Sequence, residues 1–208
     1  MPNNALLAAA AAGAPPCTTP LNPAFETICY KTVATDGRFS IRDYAARLNV
    51  SLVTATSPEA PSWAEGSLLA TEALLLYFEG SNGAAKPVAR TVPLIYRPRT
   101  LPTGESVINA AMALPTSVYP DPGAAPQPSP ENKPEAFPAQ RFAAASFSTP
   151  LPATDLQYAY ACGEVAQWLA SKGLAPVTKG VWAQAWVTYS GSDATEHVQE
   201  CWLGVSTA

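Results

Sequence analysis

A chain of 208 residues, 48% of them hydrophobic, is long enough to bury a substantial core as one large or two small domains. Charged residues make up only 13% and the net charge is −4, against about a quarter charged in an average globular protein. A weakly acidic chain with no basic run argues against nucleic acid as the main partner and against polybasic docking to membranes. No apolar stretch is long enough to span a bilayer.

Residues 1–24 are rich in Ala and Pro and read as a flexible arm. No Lys or Arg precedes the weakly apolar run Leu6–Ala12, so a secretory leader is not indicated. The cytoplasm is therefore the expected compartment, with an organelle or secretion left open. The body of the protein is expected over 25–208 as one domain. Phe25–Val33 and Arg38–Tyr44 read as two strands joined by a turn at Thr35, Asp36 and Gly37. In the second, Phe39, Ile41 and Asp43 share one face, and Arg38, Ser40, Arg42 and Tyr44 the other. Leu48–Ala55 continues as an apolar, β-branched strand.

Ser62–Leu94 then has the pattern of a helix, a Gly/Asn turn and an apolar strand. Ser62 and Glu65 form a capping box in sequence. Trp63, Ala70, Leu74, Tyr77 and Phe78 recur at helical spacing, and Gly80 stands at the C-terminal cap. Thr91–Tyr96 and Val107–Leu114 are further strands; in the latter Ile108, Ala110, Met112 and Leu114 fall on one side. Pro115–Pro138 is Pro-rich and aperiodic, and reads as an exposed connection between two halves, 25–114 and 139–208. The second half repeats the order. A strand at Arg141–Phe147 precedes a capping box of Thr154 and Gln157. A helix follows with Tyr158, Cys162, Val165 and Leu169 at helical spacing, and Gly173 closes it. Val181–Ser190 and Val198–Val205 are the last strands. The expected fold is therefore α+β: two βαββ units whose strands join into one antiparallel or barrel-like sheet, with both helices packed on it.

The sequence holds no nucleophile elbow, phosphate loop or dinucleotide fingerprint, and no enzyme is expected. A ligand would occupy an apolar groove between helix and sheet. Four cysteines without a CxxC pair, and a single histidine, argue against a zinc site. Free buried thiols are the favoured expectation, with Cys17–Cys29 or Cys162–Cys201 bridges as the alternative. His197 lies beside Asp193, Glu196 and Glu200, either as an exposed loop residue or as a ligand contact. Glu200 shares a strand face with Val198 and Trp202. If buried, it needs a hydrogen-bonding partner such as an arginine, or it serves as a pocket carboxylate or general base.

Four stretches resemble the SOUL haem-binding proteins: Phe25–Glu26 running on to Gly37–Tyr44, Tyr77–Asn82, Thr91–Leu94 and Gln199–Leu203. They occur in that family's order. The resemblance implies duplicated βαββ units forming a distorted antiparallel β-barrel flanked by two long α-helices, and binding of haem or another tetrapyrrole beside the first helix, near the loop before the last strand. The residues it points to are Trp63, Leu74, Tyr77, Phe78, Tyr189 and His197; by their position after the first helix, Lys86, Arg90 and Arg97 are able to pair with ligand carboxylates. Asp43 stands where some members carry a histidine considered as an iron ligand, and Arg90 where the family has methionine. The expected function is carriage or buffering of haem in such a groove, with no protein metal site. The alternative is a structural protein that keeps the fold and binds a protein partner through the arm or the Pro-rich connection.

Overall fold

The computed structural model describes residues 17–19, 22–45, 47–56, 63–100, 106–115, 117–119, 125–126, 132–137, 139–180, 182–189 and 197–206. Ser62 of the first capping box, Asp193 and Glu196 lie outside them.

Twelve strands and two helices are described: β1 (Cys17–Thr19), β2 (Asn22–Thr27), β3 (Tyr30–Asp36), β4 (Phe39–Tyr44), β5 (Arg47–Thr56), α1 (Trp63–Phe78), β6 (Thr91–Val92), β7 (Leu94–Thr100), β8 (Ser106–Ala113), β9 (Asn132–Phe137), β10 (Gln140–Thr149), α2 (Asp155–Ser171), β11 (Gln184–Thr188) and β12 (His197–Gly204). Nine strands form one antiparallel sheet in the order β3-β4-β10-β12-β11-β7-β8-β5-β9. A small second sheet joins β1, β2 and β6.

This order contains the duplication. β5, α1, β7 and β8 give the sheet block β7-β8-β5, and β10, α2, β11 and β12 give β11-β12-β10. The two blocks meet where β11 pairs with β7, through Trp186↔Tyr96 and Val187↔Ile95. Each block is extended by a strand that precedes the other: β4 pairs with β10, and β9 with β5. The repeating unit is thus strand, strand, helix, strand, strand with its first strand exchanged.

The two helices flank a distorted sheet, as the resemblance implied; by hydrogen bonds the sheet is open rather than a closed barrel, since no described ladder joins its ends. It is nevertheless strongly curled. Only two residues separate β4 from β5, and two separate β9 from β10, although each pair straddles the seam. Three Cα steps of about 3.8 Å bring the two margins within roughly 11 Å. The Phe137 ring of β9 lies 5.6 Å from Tyr44 of β4 and 5.8 Å from Phe142 of β10 across that seam.

Alternation along the strands produces two cores. Ile41, Ala143, Ala145, Ile108, Ala110, Met112, Cys201 and Leu203 face the helices. Tyr44, Phe142, Ala144, Ala111, Ala113, Val187 and Trp202 fill the interior of the curl. The helices present the expected stripes, with Gly66, Ala70, Leu74, Tyr77 and Phe78 buried on α1. On α2 the buried set includes Tyr158, Cys162, Val165 and Leu169. Both helices end alike. In α1 the Ser81 and Gly80 amides donate to the Leu76 and Tyr77 carbonyls; in α2 the Leu174 and Gly173 amides donate to Leu169 and Ala170. Gly80 and Gly173 sit at φ +113° and +71°, the left-handed region this cap requires.

Three features differ from expectation. All four cysteines are bridged, Cys17–Cys29 and Cys162–Cys201, so free thiols are not found. The first bridge fixes β1 to the turn between β2 and β3, within what reads in sequence as a flexible arm. The Pro-rich connection is not simply exposed: Ala125 joins the core beside α1, the Tyr77 hydroxyl donates to the Pro126 carbonyl at 2.9 Å, and β9 lies at its end.

Candidate functional site

A groove of about 610 Å³ opens beside the first half of α1, between that helix, β7, the start of β12 and the segment entering α2. Trp63, Ala64, Ser67, Leu68 and Thr71 line one side. Leu94, Tyr96, Thr188 and His197 form the base, and Pro152, Ala153, Thr154 and Asp155 the other side.

Two local structures fix these walls. Thr154 caps α2: its Oγ1 accepts from the Gln157 amide, and the Gln157 side chain reaches back to the Thr154 amide at 2.9 Å, the capping box visible in the sequence. The preceding residue is tied to the sheet, its amide donating to Gln199 Oε1 at 3.2 Å. Trp63 then bridges the two helices. Its Nε1 donates to the Ala153 carbonyl at 3.4 Å, and its ring meets Trp186 edge-on at 4.5 Å and Tyr96 at 5.3 Å. Tyr158 stacks on Trp186 with planes 1° apart. Tyr96 and Thr71 share a hydroxyl hydrogen bond of 2.6 Å, and burial pushes the Tyr96 phenol up to about 12. The wall is therefore rigid and aromatic, with a few fixed hydroxyls, the composition expected of a small-molecule pocket.

The groove unites Trp63 and His197 from among the expected site residues. His197 is 93% buried, with a relative exposure of 7%, and opens β12 rather than standing in an exposed loop. Leu74, Tyr77 and Phe78 lie farther along α1, sealed in the core, because the loop after the helix folds back over them; the Val88 amide donates to the Phe78 carbonyl at 2.8 Å. Burial pushes the Tyr77 phenol up to about 12. Lys86 and Arg90 are exposed on that same loop, and Arg90 pairs with Glu79 at 2.6 Å. From Thr71 to Phe78 a helix rises about 10 Å, so both cations sit beyond the far end of the groove. Tyr189 is on the opposite face of the sheet. The groove residues Ser67, Thr71, Tyr96 and Pro152–Asp155 were not singled out by the sequence as ligand contacts. Tyr96 alternates with the inward-facing Ile95, a signal that becomes informative only once the helix face of β7 is known.

Inside the curl, Glu200 has a different task. It is 1% exposed and receives both Arg42 guanidinium nitrogens, at 2.8 and 2.7 Å. Ser146 Oγ, Tyr189 OH and Trp202 Nε1 add hydrogen bonds of 2.6, 2.9 and 2.7 Å. Burial pushes the Glu200 carboxyl up, but the Arg42 charge and these donors outweigh it and hold the carboxyl below its ordinary value. The Tyr189 phenol is driven far up by burial and by the Glu200 charge. A saturated, ionised carboxylate has no proton-accepting site left for a substrate, so this is a structural ion pair. Asp43 lies on the helix-side face of β4 and pairs with Arg141 at 2.7 and 2.8 Å.

A sequence profile described as SOUL heme-binding protein matches residues 25–203. The chain belongs to the SOUL haem-binding family. Among solved structures, this SOUL chain is similar to the EcmrR C-terminal domain, with a TM-score of 0.56 at 12% identity over 87% of this chain and 100% of that one. A hydrolase from Listeria innocua gives a TM-score of 0.55 at 10% identity over 84% and 94%. At such identities the likeness concerns the fold. A search of curated proteins found no match. Among the described residues of this SOUL chain, no group of three or more His, Cys, Asp or Glu side chains is arranged to hold a metal ion, and no helix is long and apolar enough to cross a membrane.

Proposed function

We propose that this SOUL protein binds haem or a related tetrapyrrole, without catalysing its conversion, in the groove beside α1. The observation that carries the reading is the aromatic wall: Trp63, braced by Trp186 and Tyr96, stands across an apolar cleft of about 610 Å³. Flat aromatic faces and leucines match a macrocycle whose affinity comes from apolar burial. His197 is the chain's one histidine and lines this groove, so it is the residue that would hold the iron of a metallated ligand. An imidazole nitrogen is an effective donor to haem iron and would set the Soret position of such a complex. Asp43, already paired with Arg141, is unsuited to that task.

Two disulfides support work in an oxidising environment rather than in the reducing cytosol.

Haem titrated into purified protein should shift and sharpen its Soret band and quench tryptophan fluorescence, saturating at one equivalent. An unshifted spectrum with unquenched tryptophans would remove the reading. Exposed Leu151, Leu156 and Tyr160 on and before α2 favour, as a second reading, contact with a protein partner. That reading gains if the protein elutes as a stoichiometric complex free of tetrapyrrole absorbance.

A further inference from the structure

Resting on the reading that the groove holds a tetrapyrrole, the electrostatics of the groove select within that class. Asp155 is the one charged side chain among its described lining residues. Of the three cations expected to meet ligand carboxylates, Lys86 and Arg90 lie on the loop beyond the other end of α1, and Arg97 is buried against the Trp182 ring in the interior of the curl, away from the groove. Two helix N-termini, of α1 and α2, border the groove, and each would ordinarily attract an anion. Both are already answered from within the chain. Asp155 Oδ1 accepts from the Leu156 amide at 2.8 Å, Thr154 Oγ1 accepts from the Gln157 amide, and Glu65 occupies the first turn of α1.

A ligand with two free carboxylates would thus bring negative charge to a groove whose one charged described lining residue is Asp155 and whose bordering helix N-termini are already answered. We propose that the groove takes a tetrapyrrole whose side-chain carboxyls are esterified or otherwise uncharged, in preference to a free dicarboxylate. The aromatic wall supplies the affinity and Asp155 the discrimination.

The test compares protoporphyrin IX with its dimethyl ester, both delivered to the full chain from one non-ionic detergent stock and followed by tryptophan quenching. The ester should bind more tightly by a factor of roughly 5 or more, the size of one close carboxylate repulsion in a water-like medium. Asp155→Asn keeps the acceptor for the Leu156 amide. It should tighten the free acid more than the ester and so narrow the ratio between them by a similar factor, which separates charge from the greater oiliness of the ester. Raised salt should likewise tighten the free acid more than the ester. Equal or tighter binding of the free acid would overturn the proposal while leaving tetrapyrrole binding intact, as would an Asp155→Asn variant that moves both ligands together. Quenching by neither porphyrin would remove both readings.

Discussion

Arg42 and Glu200, 158 residues apart in sequence, meet inside the curled sheet through two parallel hydrogen bonds of 2.8 and 2.7 Å. The pair joins β4 to β12 across the intervening β10, whose Ser146 bonds the same carboxylate. Its energetic weight lies in what remains when one partner is removed. Arg42→Met strands a buried carboxylate and Glu200→Met a buried guanidinium, and each should cost about 3–5 kcal/mol. The double variant Arg42→Met/Glu200→Met should cost clearly less than the sum of the two single changes, because neither charge is then left alone. Urea denaturation of the four proteins gives the comparison. Additive losses would mean that the two groups do not depend on one another.

The same pair sets an acid limit on stability. The Glu200 carboxyl, despite burial, is held below its ordinary value of 4.5 by Arg42 and its hydrogen bonds. A depressed carboxyl contributes stability that is complete above the unfolded value and is lost as pH falls through the folded one. The protein should therefore be insensitive to pH near neutrality and lose stability progressively below about pH 4.5. Exposed Asp36 and Asp43 are also lowered, Asp36 chiefly by the Trp168 hydrogen bond and Asp43 by Arg141, and add smaller amounts in the same direction. Thermal midpoints between pH 3 and 7 should show a shallower acid limb for Glu200→Gln. An acid limb of unchanged slope would assign it to other carboxylates.

Where local chemistry decides, the sequence is readable. The Thr154–Gln157 cap, the Gly80 and Gly173 stops and the two faces of β4 are each set by a few neighbouring residues, and each is found in place. Strand β9 is hidden by Pro134 and by the proline-rich stretch around it; it is tolerated because β9 is an edge strand, pairing only with β5. The exchange of β4 and β9 between the two halves leaves no local mark, since it depends on two-residue links that are equally compatible with hairpins. For the site, helical periodicity identifies the buried stripe of α1 but not where the sheet stops covering it. Leu74, Tyr77 and Phe78 are as aromatic and apolar as a pocket wall would be, yet the returning loop and Ala125 seal them. Trp63 and Thr71 stay accessible because α2 begins opposite them. That depends on the register of β12 against β10, a long-range fact.

The disulfides give a third expectation. Cys162–Cys201 closes a separation of 39 residues and holds α2 to β12; Cys17–Cys29 closes 12. On chain entropy alone these contribute about 4 and 3 kcal/mol. Thiol titration of protein denatured without reductant should find no free cysteine. Reduction, or Cys162→Ala/Cys201→Ala, should lower the thermal midpoint by several degrees, with the Cys17→Ala/Cys29→Ala variant affected less. Stoichiometric free thiols in protein isolated from its native compartment would contradict the bridged state.

The groove itself is tested by contrasting two aromatic residues of one helix. Trp63 borders the groove and braces it through Trp186 and Tyr96, whereas Tyr77 is fully buried and bonds the Pro126 carbonyl at 2.9 Å. Trp63→Leu removes a flat wall but leaves an apolar one, and should weaken protoporphyrin binding roughly 10-fold, the loss of about 1.4 kcal/mol of aromatic contact. Tyr77→Phe removes only a hydroxyl at the other end of α1. It should lower stability by about 1 kcal/mol and leave binding unchanged. His197→Ala separates macrocycle from metal: it should alter the Soret position of the haem complex while changing the affinity for metal-free protoporphyrin less than 3-fold, since imidazole ligates iron and contributes little apolar area. Absorbance and fluorescence titrations on the three variants, each first checked for a cooperative thermal transition, decide the matter. A Tyr77→Phe variant that loses binding while Trp63→Leu retains it would move the ligand to the opposite end of the helix.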